Sequence, residues 1–385
     1  MKRVRLRTTR AGGQPIVFRK MVAAVDPGTG NGEAVEVVDD RGRVLGRGFY
    51  NRQSELAVRL LERGPGPDLD AAWLRARLAS CLALRREALG LEAATDAYRV
   101  VNSEGDGLSG LVVDRYADVL SIQVLALGWY RRAVEVKDAF RALLRPRAVV
   151  VRSDPEVERI EGFRVLGEAG EDARAEIREH GVRFLVDPAR GHKTGFFLDQ
   201  RDHRRRLAER ARGRRVLDLF CYTGGFSLAA ARGGAARVLG VDLDEEAVAA
   251  ARGNARLNGS PKAVSFEHAD AFDALREAEA GAWDVVVCDP PKLAASRPEI
   301  PGALRKYEDM NALAFGKVAP GGWVVSCSCS GLVPEGEFLG ALGRAAVRSG
   351  REVRIVEIGG AAPDHPWAIA HPAGRYLKVA WSVVS

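Results

Sequence analysis

The sequence has no long apolar run and few cysteines. No stretch approaches the roughly 18 consecutive apolar residues that a membrane-spanning helix needs. The basic N-terminus lacks the apolar segment and the small-residue cleavage site of a secretory signal. The five cysteines are odd in number and show no zinc-ligand spacing. We therefore expect a cytoplasmic protein with reduced thiols, no membrane partner and no metal site.

Lysine is scarce as well, at nine of the 58 basic residues, so the net charge of +7 comes mainly from arginine. Arginine, alanine and glycine are abundant along the whole chain, and such a bias can reflect genome composition. Overall basicity therefore says little about a polyanionic partner. Residues 1–20, however, contain seven basic residues and no acidic residue. This local charge favours a segment that faces phosphates, although a solvated basic tail has the same composition.

Internal repeats and low-complexity tracts are absent, and the chain length favours two or three domains. The first part of the chain predicts short β-strands, with a hairpin turn at residues 39–42. The sequence Gly-Pro-Gly-Pro at 64–67 is the clearest linker signal. A helix is expected over 69–89, a strand-rich block over 98–124 and a helix near 130–144. We place three domains at 1–66, 67–175 and 176–385.

Strands and helices alternate from about residue 178 onward, which predicts a parallel sheet covered by helices on both faces. The fold class of this C-terminal domain is therefore α/β and doubly wound, and a β-rich segment begins the chain. The expected strands of the C-terminal domain are 216–220, 238–242, 263–266, 284–288, 323–327, 353–358 and 376–383.

A glycine turn follows the first of these strands. The chain passes from Asp218 through Tyr222 and Gly224 into a helix, so that bare backbone can approach a ligand. Asp242 ends the next strand and is placed to accept hydrogen bonds from ribose hydroxyls. Asp270 is placed to bind an adenine amino group. Alternatively, Asp218 holds the loop through backbone amides without touching the ligand.

A nicotinamide oxidoreductase is the natural rival interpretation of this turn. The turn lacks the Gly-x-Gly-x-x-Gly spacing that a pyrophosphate requires. The fourth strand also ends in Asp-Pro-Pro-Lys at 289–292, a motif with no role in hydride transfer. Both features oppose the oxidoreductase.

Seven motifs together resemble the large-subunit ribosomal-RNA cytosine-C5 methyltransferase family. They cover nearly the whole chain and lie at 101–111, 191–201, 216–226, 289–292, 328–332, 364–366 and 376–378. The resemblance implies an N-terminal PUA RNA-binding domain that is β-rich, a central α+β domain and a C-terminal class I methyltransferase domain with a Rossmann-like α/β fold. It also implies S-adenosylmethionine as the cofactor and large-subunit ribosomal RNA as the partner. One departure lies at residues 14–18, which read Gln-Pro-Ile-Val-Phe where the family more often has His-Pro-Trp.

Carbon 5 of cytosine is a poor nucleophile, and a thiolate that adds to carbon 6 makes it electron-rich. Cys329 and Asp289 follow neighbouring strands, so both can reach one base. We therefore predict Cys329 as the nucleophile, Asp289 as its catalytic partner and a cofactor contact, and Cys327 as packing. The alternative is that both cysteines are buried small hydrophobes.

The remaining site assignments carry alternatives. The motif places Gln200 near the methionine end of the cofactor, while Lys193, Arg201 and Lys292 are predicted to bind substrate. Arg201 is equally compatible with a structural ion pair. His365 can line the site, but it is equally compatible with a loop position that is exposed to water. Two rival functions also stay open, methylation of another base or atom and a non-catalytic RNA-binding protein. The sequence leaves the oligomeric state open, a homodimer being one option.

Overall fold

The computed structural model describes residues 1–7, 14–165, 172–189, 195–259 and 262–385. They pack into two compact units. The first unit is formed by Met1–Arg178, Val186–Leu198 and Pro363–Gly374; the second is formed by Glu179–Leu185, Asp199–Ala362 and Arg375–Ser385. Within the described ranges, no helix is both long enough and apolar enough to cross a membrane.

The first unit begins with a six-stranded sheet in the order β2-β6-β5-β4-β1-β3. Its strands are β1 (Lys2–Leu6), β2 (Ile16–Val17), β3 (Val22–Val25), β4 (Ala34–Val38), β5 (Val44–Tyr50) and β6 (Val58–Arg63). The predicted hairpin is confirmed, because β4 and β5 pair in antiparallel fashion. Asp39 closes its turn by accepting hydrogen bonds from the backbone amides of Arg41 and Arg43 at 2.9 and 2.8 Å.

Residues 2–6, the first part of the basic run, form a strand of this sheet and not a solvated tail. Val4 and Leu6 are buried on one face of β1, while Arg5 and Arg7 on the other face are exposed. Arg3 pairs with Glu36 of β4 at 3.0 Å. The alternation of apolar and basic residues is thus the inside-outside pattern of a strand.

A second, four-stranded sheet of the first unit has the order β10-β9-β8-β7. Its strands are β7 (Ala97–Asn102), β8 (Leu111–Tyr116), β9 (Val119–Val124) and β10 (Ala148–Arg152). The helices of this unit are α1 (Ala71–Ala83), α2 (Leu127–Arg131), α3 (Ala133–Leu144) and α4 (Pro155–Glu161). Two further strands, β11 (Ala175–Glu179) and β12 (Val182–Val186), span residues where the chain passes from one unit to the other.

Both helices predicted for this region differ in detail from the structure. The helix expected over 69–89 is α-helical only to Ala83 and continues as a π-helical turn, Leu84–Ala88. In that turn the buried Arg85 binds the Asp106 carboxylate through two hydrogen bonds of 2.6 and 2.8 Å. The helix expected near 130–144 is broken between α2 and α3, and the indole of Trp129 is held there by the carbonyl of Ser109 at 2.8 Å. Tertiary partners therefore override helical periodicity at both places.

The second unit is built on a seven-stranded sheet in the order β15-β14-β13-β16-β17-β19-β18. Its strands are β13 (Arg215–Leu219), β14 (Arg237–Asp242), β15 (Val264–His268), β16 (Trp283–Cys288), β17 (Val318–Ser328), β18 (Val353–Gly359) and β19 (Lys378–Val384). Its helices are α5 (Arg201–Arg210), α6 (Gly225–Arg232), α7 (Glu245–Leu257), α8 (Ala271–Glu277), α9 (Ile300–Lys317) and α10 (Glu335–Ser349).

Helices cover both faces of this sheet, as the sequence predicts. Val216 packs with Leu207 of α5 and Phe226 of α6, whereas the neighbouring Leu217 packs on the opposite face with Phe315 of α9 and Phe338 of α10. The predicted parallel pairing is confirmed for β13 to β17, whereas β19 pairs antiparallel with both β17 and β18. The described residues 360–377, between β18 and β19, contain no α-helix, and a parallel return would need such a crossover.

Candidate active site

The loop between β13 and α6 has an unusual backbone. Phe220 and Tyr222 have φ angles of +60° and +48°, in the left-handed region that side chains disfavour, and Gly224 has a φ of +86°. The turn is closed by hydrogen bonds from the Cys221 amide to the Val241 carbonyl at 3.0 Å and from the Gly224 amide to the Cys221 carbonyl at 2.8 Å. Such conformations persist where the surroundings enforce them and concentrate at ligand-binding sites.

Glycines let this loop pack closely against the neighbouring strands. A Cβ atom on Gly224 would lie 2.9 Å from the ring of Phe266 in β15. One on Gly240, in β14, would lie 2.6 Å from the same ring and 2.7 Å from the hydroxyl of Ser227. Gly224 is therefore needed for packing and for its positive φ, in addition to any approach of a ligand.

Asp218 ties β13 to the start of α6. Its Oδ2 atom accepts hydrogen bonds from the amide and hydroxyl of Ser227, at 2.9 and 2.6 Å. Burial raises the pKa of Asp218 to about 7, and the nearby charges of Asp289 and Asp242 act in the same direction. Its Oδ1 atom is buried without a hydrogen-bond partner in the described part of the chain. The anchoring alternative thus has structural support, and contact with the cofactor stays a prediction.

Asp242 and Asp270 hold the other turns at this edge of the sheet. Asp242 accepts hydrogen bonds from the amides of Tyr222 and Asp244, at 2.8 and 2.9 Å, and so fixes the strained loop. Asp270 caps α8 by accepting from the amides of Phe272 and Asp273, at 2.8 and 3.2 Å. Both carboxylates are half-buried. Their predicted ribose and adenine contacts remain predictions.

Asp289 and Cys329 follow the paired strands β16 and β17, which run parallel. The side-chain amide of Gln200 donates to Asp289 Oδ2 at 3.0 Å, and the Cys329 thiol lies 3.9 Å from the carbonyl oxygen of Pro290. Cys329 therefore lies beside the Asp-Pro-Pro turn, as the strand order predicts.

Cys329 is the one cysteine of the five that is not buried. Burial raises the pKa of Cys81 to about 12, and it raises the pKa of Cys221, Cys288 and Cys327 well above the usual range. A buried thiol with a raised pKa is a poor nucleophile. The distribution of burial thus separates Cys329 from Cys327, as the sequence predicts.

Ser330 was not singled out as a site residue in the sequence, although it stands inside the Ser-Cys-Ser motif. Its hydroxyl oxygen lies 3.1 and 3.2 Å from the amides of Leu293 and Ala294, which donate to it, and 3.1 Å from the hydroxyl of Tyr307. Ser330 therefore connects the loop after β17 with the loop after β16. The only sequence signal for this connecting role of Ser330 is that a serine stands on each side of Cys329.

The predicted substrate-binding residues differ in their exposure. Lys292 is exposed, Arg201 is 1% exposed at the start of α5, and Lys193 lies outside the described residues. His365 belongs to the first unit and is buried, with its Nδ1 atom 3.1 Å from Asp364. The alternative of an exposed loop histidine is therefore wrong.

Comparison with known proteins identifies the family. Residues 162–366, more than half of the chain, match the family of S-adenosylmethionine-dependent methyltransferases. The chain belongs to that family. Residues 9–63 match the PUA-like domain family, so the methyltransferase joins an N-terminal PUA-like domain to a class I methyltransferase fold, as the sequence motifs imply.

Relatives extend the similarity over almost the whole methyltransferase. A protein of Aeromonas hydrophila named ribosomal RNA large subunit methyltransferase I is 38% identical over 374 residues, 94% of each chain. A protein of the same name from Photobacterium profundum is 40% identical over 354 residues, 90% of this chain and 89% of that one. A solved methyltransferase complexed with SAH shares the fold over the full length of both chains, with a TM-score of 0.83 and 20% identity.

The site fits the cofactor of this family. S-adenosylmethionine carries two positively charged groups, a sulfonium and an ammonium. The carboxyl groups of Asp218, Asp242 and Asp289 lie near one another at this edge of the sheet, so the site is suited to a cationic ligand. The Oε1 atom of Gln200 and the Oδ1 atom of Asp218 are buried acceptors without a partner among the described residues. Donors on a ligand would satisfy them, since buried polar atoms are rarely left unpaired.

Proposed function

We propose that the methyltransferase transfers a methyl group from S-adenosylmethionine to carbon 5 of a cytosine in large-subunit ribosomal RNA. The relatives that match over 90% or more of this chain carry a large-subunit ribosomal RNA methyltransferase name. The PUA-like match at 9–63 supports an RNA substrate. The observation that carries the proposal is the half-buried Cys329 beside the Asp-Pro-Pro turn, since methylation at carbon 5 needs a nucleophile at this place.

The proposed reaction begins with the Cys329 thiolate, which forms a bond to carbon 6 of the base and makes carbon 5 nucleophilic. Bound S-adenosylmethionine would supply the electrophilic methyl group for carbon 5 and would leave as S-adenosylhomocysteine. A base then removes the proton from carbon 5, and the bond between sulfur and carbon 6 breaks to release the cysteine. Asp289, held by Gln200, is assigned to the N3 side of the ring, where it stabilises the adduct.

The cofactor contacts are assigned by position. Asp242 is assigned to the ribose, Asp270 to the adenine amino group, and Gln200 to the methionine end. Tyr222, Gly224 and Asp218 form and anchor the loop that the cofactor approaches. Among the proposed RNA contacts, Lys292 is the best supported because its side chain is exposed. Arg201 is buried. The assignments of Arg201 and Lys193 rest on the sequence motif alone.

A trapped covalent intermediate tests the nucleophile. RNA with 5-fluorocytidine at the target position should hold the adduct, because fluorine cannot leave carbon 5 as a proton does. We expect a slowly migrating protein–RNA band on a denaturing gel for the wild type. Cys329→Ser should give no band and should still bind S-adenosylmethionine.

Cys327→Ser is the matched control, because Cys327 lies two residues away and is buried. It should form the adduct as the wild type does. An adduct that persists in Cys329→Ser and disappears in Cys327→Ser would reverse the assignment. Methylation without any adduct would exclude the carbon-5 mechanism and favour transfer to another atom.

A further inference from the structure

Lys378 lies directly beside the segment that carries Cys329. It is the first residue of β19, and its register partner is Ser328, the last residue of β17. Only 4% of Lys378 is exposed. Lysine is among the residues that are almost never buried to this extent without a reason.

The ammonium group of Lys378 holds the loop that follows Cys329. Its Nζ atom donates hydrogen bonds to the carbonyl oxygens of Ser330 at 2.7 Å and Val333 at 2.9 Å. Within the described part of the chain, no carboxylate forms an ion pair with this ammonium. Glu335, the nearest acidic residue along the loop, pairs instead with Arg375 at 2.8 Å.

Burial of a cation without an opposing carboxylate is unfavourable. Burial accordingly lowers the pKa of Lys378 to about 8, while the charges of Cys329 and Glu335 oppose this shift and Arg375 adds to it. Lys378 is therefore still mainly protonated at neutral pH, and an anion at Cys329 would stabilise it.

A negative charge, that of Asp289, also lies near Cys329 and acts on two of its neighbours. Burial, and then the charge of Asp289, raises the pKa of Cys327. Burial also raises the pKa of Tyr307, and the charges of Cys329 and Asp289 contribute in the same direction. A thiolate at Cys329 would meet the same carboxylate of Asp289, so a compensating cation is needed if the thiolate is to form at neutral pH.

We propose that Lys378 is a positioning residue that prepares Cys329 for attack. Its positive charge favours the thiolate over the thiol, and its two hydrogen bonds fix the loop 330–333 that follows the cysteine. The thiol proton passes to solvent water, whereas Lys378 keeps its own proton during this step. This inference rests on the proposed role of Cys329 as the nucleophile.

Alkylation of Cys329 by iodoacetamide, followed by mass spectrometry of its peptide over pH 6–10, tests the charge directly. Lys378→Gln keeps a side chain that can donate to carbonyls and removes the charge, whereas Lys378→Arg keeps the charge. We expect Lys378→Gln to slow alkylation about tenfold at pH 7 and to move the apparent thiol pKa up by about one unit, since one unit corresponds to a tenfold change in thiolate. Lys378→Arg should restore most of the wild-type profile.

Lys317→Gln is the matched control. The Lys317 ammonium also donates to two backbone carbonyls, those of Arg276 and Ala278, and Lys317 ends α9 at the opposite edge of the sheet, before β17 begins. The alkylation of Cys329 in Lys317→Gln should follow the same pH profile as in the wild type. Binding of S-adenosylmethionine and circular dichroism should be unchanged in all three variants.

A wild-type profile in Lys378→Gln would overturn the proposal. So would a loss of rate that is the same at every pH, because that result means a purely structural role. The assay needs neither RNA nor methyl transfer. Failure of the proposed function would appear instead as a missing adduct with 5-fluorocytidine, so the two failures are distinguishable.

Discussion

Asp218 combines nearly complete burial with one oxygen atom that has no partner in the described part of the chain. Burial raises its pKa from about 3.8 to about 7. The folded protein therefore holds a proton on Asp218 between these values, whereas the unfolded chain does not. Stability that comes from this proton is fully present below about pH 4 and is lost as the pH rises to about 7.

We predict that Asp218→Asn removes this pH dependence. The asparagine oxygen can accept both Ser227 bonds, and the side chain stays neutral at every pH. The cofactor-free variant should match the wild type near pH 3 and exceed it at pH 8 by up to about 4 kcal/mol in the free energy of unfolding, at 1.4 kcal/mol per pKa unit. Urea denaturation at the two pH values measures the difference.

Asp273→Asn provides the comparison, because this exposed aspartate on α8 pairs only with Arg276 at the helix surface. Its pH dependence should follow that of the wild type. If Asp218→Asn follows the wild type as well, Asp218 is ionised in the folded protein across this range, and the effect of burial is smaller than the effect of the two Ser227 bonds.

The predictions for Asp218, Asp242, Asp270, Asp289 and Cys329 rest on residue type and on position, because each follows a predicted strand or turn. The hydrogen bonds by which these residues hold the neighbouring turns do not follow from the sequence. The cap formed by Asp270 and the support of Tyr222 by Asp242 depend on backbone amides whose direction is set only by the folded turn. Lys378 ends the motif at 376–378, but its bonds to Ser330 and Val333 join positions 45 or more residues apart.

At the scale of elements, the contact between β14, β15 and α6 depends on the absence of a side chain. Gly240 lies in β14 against Phe266 of β15 and Ser227 of α6. We predict that Gly240→Ala destabilises the second unit by about 1–3 kcal/mol, the usual effect of overpacking. It should also weaken S-adenosylmethionine binding, since Ser227 anchors Asp218. Thermal unfolding and calorimetric titration check the two effects.

Gly253→Ala is the control with the opposite expected sign. Gly253 lies within α7, where an added Cβ atom would touch only Arg256, at 3.8 Å. Alanine there should stabilise the helix by about 0.5–1 kcal/mol and leave cofactor affinity unchanged. Equal effects of the two substitutions would mean that the structure relaxes around residue 240.

Element types were predicted well where periodicity is local. The strands from β13 to β17 occur where apolar runs indicate them, but the antiparallel insertion of β19 between β17 and β18 does not follow from its apolar pattern. A buried strand looks the same in either direction. The π-helical turn after α1 likewise depends on Asp106, a partner 21 residues from Arg85.

At the scale of the whole molecule, each of the two compact units is made of segments that are not contiguous in the sequence. Pro363–Gly374 belongs to the first unit although the strands on either side of it belong to the second. The carbonyl of Asp364 accepts a hydrogen bond from Arg85 at 2.7 Å, and its carboxylate accepts one from the amide of Arg99 at 2.9 Å. Contacts at sequence separations of 279 and 265 residues leave no local pattern. The boundaries at 66 and 175 stay predictions.

The two sheets of the first unit also share one core. Phe49 of β5 meets Trp129 of α2 edge to face, with ring centroids 5.0 Å apart, and Leu61 of β6 joins the same cluster. Deletion of residues 1–66 would therefore expose apolar surface in the remaining part of this unit. Single substitutions on the outer face of β1 provide a cleaner test of RNA binding than truncation does.

Arg5 is the best position for that test. It is exposed on β1 between the buried Val4 and Leu6, and no hydrogen bond or ion pair holds its side chain among the described residues. We predict that Arg5→Glu weakens binding of large-subunit ribosomal RNA and makes the dependence of log affinity on log salt concentration shallower by about one, as expected for the loss of a phosphate contact. Filter binding at several salt concentrations measures both quantities, and affinity for S-adenosylmethionine should not change.

Arg212→Glu serves as the control for net charge. Arg212 is exposed and precedes β13, at the edge of the sheet opposite to the active site. Both variants change the net charge equally, so a general electrostatic effect would weaken RNA binding to the same extent in each. A specific RNA contact on β1 requires a larger loss and a shallower salt slope for Arg5→Glu. Equal slopes in the two variants and the wild type would mean that RNA does not contact this face of the PUA-like domain.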